Sequence, residues 1–181
     1  MKTEFAPRRL DVAAFAKAGT TISGQVLLRD LPRLSAETTG ATPDAAVPWQ
    51  ARGEERPGAS GAPAAWLHLA ADALIPLVCQ RCLAPVETKL AVDRWFRFVA
   101  DEETAAREDE ASEEDILVSS RDFDLQELLE DELLMEVPVT PRHEICPEPP
   151  RLSAVDDDFD ATEKAKPNAF AVLGTLRPRK S

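Results

Sequence analysis

"LIPLVCQRCLAPVETKLAVDRWFRF", residues 74–98, sets two cysteines between two stretches that alternate apolar and polar side chains. After the cysteines, Val86, Thr88, Leu90 and Val92 alternate with Glu87, Lys89 and Asp93, and the pattern runs on through Arg94 to Phe98. A period of two is that of a strand with one face in a core. Before them, "AAWLHLAADALIPLV" read as a strand puts Trp66, His68 and Ala70 on one face and Leu67 and Leu69 on the other. Two such runs predict a β-hairpin with Cys79 and Cys82 at its tip.

Working outward, residues 7–19 read as a short helix, with Asp11 as N-cap, Val12 and Phe15 on its apolar stripe and Gly19 as its stop. "TTISGQVLLRDL" follows as a strand, with Ile22, Gly24, Val26 and Leu28 on one face. From Thr38 to Pro63, proline, glycine and charge predict long loops around a short strand near Val47 to Ala51. Beyond the hairpin, "DEETAAREDEASEED" (101–115) has almost nothing to bury and should be solvated or disordered. In "FDLQELLEDELLMEVPV", Asp124 and Glu127 suggest a capping box. Leu125, Leu128, Leu129 and Leu133 form an apolar stripe there, with Glu127, Glu130 and Asp131 facing away.

The fold class this implies is α+β: an antiparallel, partly barrel-like sheet, an acidic amphipathic helix packed on it, and long irregular loops. Residues 1–100 form the helical and β-rich part, 101–121 an acidic flexible insert, 122–146 the acidic helix and following loop, and 147–181 a Pro/Asp-rich linker with a short amphipathic end in which Asn168 caps and Gly174 stops a brief helix.

The net charge of −12 is uneven, because residues 101–136 hold sixteen acidic and two basic residues while the remainder holds 17 acidic and 19 basic. Such a chain is partly repelled by RNA and suited to a basic protein partner. No apolar run reaches the roughly 20 residues of a membrane span. The N-terminus lacks a signal peptide's apolar centre, and three cysteines do not make a disulfide framework. These features predict a cytoplasmic protein with reduced thiols.

Zinc takes four N or S ligands in a tetrahedron, and a CxxC turn supplies two of them. "HEIC" offers His143 and Cys146 as the second pair, about sixty residues away. A structural zinc site, a redox pair and unliganded thiols in a turn all remain open. The redox reading lacks a helix N-terminus to stabilise its thiolate, since Pro85 and a strand follow. "RWFRF" mixes cations and aromatics as an RNA-binding strand does, although Phe96 and Phe98 share one strand face and their burial in a core is the more ordinary reading. No GxGxxG, P-loop, HExxH or GxSxG is present, so no catalytic residue is assigned. A metal-dependent nuclease has no motif behind it.

The succession of "CQRC" before a strand, "FDLQELLEDELLMEVPVTPRHEIC" and "KPNAFAVLGTLR" resembles the bacterial YceD family, the large ribosomal RNA subunit accumulation proteins. The likeness runs from about Trp66 to Arg177. It implies a non-enzymatic role in synthesis, processing or stability of large-subunit ribosomal RNA, with precursor RNA or a basic ribosomal protein as partner; a zinc-braced RNA-binding module is the alternative. Cys79, Cys82, the helix from Asp124 to Glu136 and Lys166 to Leu173 are the motif positions it carries over. Candidate partner-binding residues are Glu127, Glu130 and Asp131 on the acidic helix and Lys166, Pro167, Asn168, Phe170 and Leu173 near the C-terminus.

Overall fold

The computed structural model describes residues 5–40, 43–58, 61–110, 112, 114–148 and 170. The chain divides into two units, 1–146 and 147–181, and the fold below is that of the first. The expected C-terminal helix, with Lys166, Pro167, Asn168 and Leu173, lies outside the described residues; Phe170 is exposed.

Helix α1 (Val12–Ala18) is capped as its sequence predicts: Asp11 accepts from the Ala14 amide, and Gly19 takes the left-handed conformation at φ 59°. Strand β1 (Thr21–Leu27) leads through a 3₁₀ turn into helix α2 (Pro32–Glu37). Strands β2 (Ala46–Pro57), β3 (Pro63–Val78) and β4 (Pro85–Val99) come next, then helix α3 (Glu102–Asp109), strand β5 (Asp115–Val118) and helix α4 (Leu125–Met135).

The sheet runs in the order β1-β2-β3-β4-β5; the first four strands form an antiparallel meander and β5 joins β4 in parallel. The expected barrel-like closure does not occur. β1 and β5 stand at opposite edges without pairing, so the sheet is open. β3 and β4 form the hairpin read from the sequence, with Leu67 opposite Phe96 and Leu77 opposite Val86. Their inward side chains, including Leu67, Leu69, Ile75, Leu90, Phe96 and Phe98, form one core with Phe15 of α1, Leu34 of α2 and Leu125, Leu129 and Leu133 of α4. Each such side chain contributes roughly 1.5–3 kcal/mol by leaving water. Phe96 and Phe98 are therefore core residues, not stacking surfaces.

Three expectations need correction. The loop-rich stretch around Val47 is the twelve-residue strand β2. Its charged residues Arg52, Glu54 and Arg56 alternate with buried Ala51 and Gly53 because its outer face meets water. Residues 102–109 are helical, with Asp101 accepting from the Thr104 amide; as expected of this stretch, the helix has no buried residue. Glu130 does not face away from the core but is buried beneath α2. Its Oε1 accepts from the Arg33 and Leu34 amides at 2.7 and 3.2 Å, and its Oε2 from the Arg33 guanidinium.

Candidate metal centre

The β3–β4 turn is closed by the Cys79 amide donating to the Ala84 carbonyl (3.0 Å) and the Leu83 amide to the Cys79 carbonyl (2.9 Å). This folds Cys79 and Cys82 toward the same side. The segment after α4 is laid against the turn by the Gln80 amide donating to the Pro141 carbonyl at 2.8 Å. His143 and Cys146 thereby come to the CxxC pair, and the four ligand atoms of Cys79, Cys82, His143 and Cys146 all lie within 4.8 Å of one another.

The donor set fits zinc. Zinc–sulfur bonds of about 2.3 Å place tetrahedral sulfurs roughly 3.8 Å apart, so donors that all lie within 4.8 Å need shift by no more than about 1 Å to reach that edge length. Cys82 Sγ is 3.5 Å from His143 Nδ1. His143 Nε2 lies 3.0 Å from the Pro85 carbonyl oxygen, which can only accept, so Nε2 carries the proton and Nδ1 presents its lone pair to the thiols. A ring nitrogen fixed in this way by its other nitrogen is the usual support of a histidine ligand.

Burial pushes the Cys79 thiol up, but the backbone N–H groups of Cys82, His143 and Arg81, with the His143 ring, outweigh it and bring it down to about 5. Burial raises the Cys146 thiol, and the neighbouring Cys82 and Cys79 sulfurs raise it further. The site thus offers a ready thiolate at its floor. Cys79 is fully buried while Cys82, His143 and Cys146 are part-exposed, an arrangement suited to bracing loops rather than to turnover of a substrate. The Cys3His cluster can bind a structural metal such as zinc.

The other expected site residues are scattered. Glu127 is exposed, and its amide joins that of Gln126 on the Asp124 carboxylate, half of the anticipated capping box. Asp131 and Glu130 both engage Arg33. In "RWFRF", Trp95 stacks against His68 with ring centroids 4.7 Å apart, and the Arg56 guanidinium lies 3.7 Å from its ring centre. Sequence reasoning missed this Arg56–Trp95–His68 stack, because it depends on β2 pairing with β3 through residues read as loop.

Among the described residues no helix is long and apolar enough to cross a membrane. No solved structure matches the chain. A family model described as "Large ribosomal RNA subunit accumulation protein YceD" matches residues 67–177, from the first buried leucine of β3 past all four residues of the Cys3His cluster. With well over half its length matched, the chain belongs to the YceD family of large ribosomal RNA subunit accumulation proteins.

Proposed function

We propose that this chain supports large-subunit ribosomal RNA accumulation as a non-enzymatic assembly factor that holds a basic ribosomal protein bound for that RNA. The observation that carries the reading is the placement of acid. Glu102, Glu103 and Asp109 on α3 with Glu110 just after it, and Glu127 on α4 with Glu136 just after it, are exposed. Other carboxylates of the same stretch are engaged by arginines of the fold: Glu108 by Arg97, Glu130 and Asp131 by Arg33, and Asp122 by Arg9. Exposed carboxylates repel phosphate and attract a cationic protein, masking charge that would otherwise bind RNA indiscriminately. The Cys3His set holds one zinc, which fixes the segment after α4 to the hairpin tip and supplies no chemistry beyond that bracing.

The test is affinity purification of the tagged protein at low salt, with and without nuclease, followed by identification of bound protein and RNA. A basic large-subunit ribosomal protein that stays bound after nuclease, and weakens when Glu102, Glu103, Asp109 and Glu110 are changed to their amides, supports the reading. Retention of precursor RNA alone, lost with nuclease, contradicts it.

A further inference from the structure

Six large apolar side chains are exposed among the described residues, and four of them belong to the turn and segment that the cysteine cluster joins or to the helix end leading into it. Leu83 (75% exposed) follows Cys82, Ile145 (88%) precedes Cys146, Val139 (98%) lies two residues before the Pro141 carbonyl that receives Gln80, and Met135 (72%) ends α4. Singly exposed apolar residues are ordinary, but several gathered at one end of a molecule mark an interaction surface. Leu83 adds a second observation. It holds φ at 62°, a left-handed backbone that glycine or asparagine adopts more readily, yet its side chain reaches no core. Neither the turn nor the packing accounts for leucine there.

We infer that Leu83, Val139 and Ile145, with Met135 at their margin, form a docking surface for a cationic segment of a ribosomal protein with apolar anchor residues. The inference rests on the assembly-factor reading above and adds a second holding point, at the Pro85 end of β4, to the acidic helix α3 packed at its Val99 end. Charge selects this occupant over RNA. Glu87, Glu136 and Glu144 are exposed around these residues against Arg81 and Arg142. The C-terminal end of α4 adds its negative dipole with no basic residue in its last turn to offset it. A phosphate backbone meets repulsion here, and a lysine- or arginine-flanked apolar segment meets both halves of its complement.

The test uses the full-length zinc-loaded chain and, as probe, the proteins extracted from purified large ribosomal subunits and freed of RNA by nuclease. The retained protein is identified, and its affinity is measured for the wild type and for Leu83→Ser/Val139→Ser/Ile145→Ser. The expected result is one basic protein whose affinity falls about tenfold or more in the variant, with melting temperature and zinc content unchanged. Equal affinity in the variant overturns the surface while leaving the assembly-factor reading in place. Failure of the wild type to retain any such protein overturns both. Loss in the variant of self-association, or of precursor RNA binding, shows the surface to serve another occupant and overturns the assignment.

Discussion

Glu130 lies on the inner side of α4 because α2 begins without a cap of its own. Leu31 at its N-cap position offers no side-chain acceptor, and Glu130 supplies one from another helix, meeting the Arg33 and Leu34 amides and the Arg33 guanidinium together. Glu130→Ala leaves two inward amides unpaired and is expected to cost about 2–3 kcal/mol, read as a lower urea midpoint at unchanged slope. Two further carboxylates titrate in opposite senses. The Arg97 guanidinium, 2.6 Å from Glu108, holds that carboxyl below the usual glutamate range. Its stabilisation is present above the unfolded value and lost as pH falls through the lower folded one. Burial pushes Glu132 up despite Arg94 at 3.4 Å, and one of its oxygens has no hydrogen-bond partner. Its contribution is present below the unfolded value and lost as pH rises through the folded one. Carbon-13 titration of the side-chain carboxyls is expected to give Glu108 a midpoint below, and Glu132 a midpoint above, that of an exposed glutamate. Glu132→Gln is expected to raise the melting temperature near neutral pH and to lose that advantage in acid.

At the scale of elements, the hairpin was legible because β4 alternates from Val86 to Asp93 and β3 from Leu67 onward, although Trp66 beside Leu67 and the run from Phe96 to Val99 are buried on both faces, and α1 because Asp11 and Gly19 mark its ends. β2 was legible only in part. Its prolines, glycine and charges read as loop, yet Gly53 is there because α1 crosses the strand closely. A Cβ at that position meets the Phe15 carbonyl oxygen at 2.7 Å and its ring at 2.8 Å. Glycine inside a strand often marks such an approach. Gly53→Ala is expected to cost about 2 kcal/mol or more, because backbone must move to admit the methyl group. A chemical melt checks this, with Gly19→Ala as a comparison that strains φ without a steric clash. Helix α2 and the inward Glu130 were hidden for a common reason: six residues with no cap of their own make sense only beside α4, and no local pattern encodes that contact.

For the whole molecule, the four candidate metal ligands were legible from residue type and spacing, since CxxC and HxxC each present two donors on one short loop. What brings the pairs together was not, because it depends on the Gln80–Pro141 hydrogen bond and on where α4 leaves the core. Removing a zinc held by this cluster is expected to loosen that end selectively. At a metal concentration about a thousandfold above Kd, binding contributes roughly 4 kcal/mol, so chelation is expected to lower the melting temperature by about 8–16 °C. Cys146→Ser is expected to reproduce the loss and to abolish the response to chelator. The proposed docking surface makes one central claim: the apolar rim of the cysteine cluster holds a protein that large-subunit ribosomal RNA accumulation requires. The most direct measurement is the ratio of large- to small-subunit ribosomal RNA in cells depleted of the protein and supplied with Leu83→Ser/Val139→Ser/Ile145→Ser at wild-type abundance. The account expects the ratio to fall on depletion, to recover with wild type and to stay low with the variant; full recovery with the variant would contradict it.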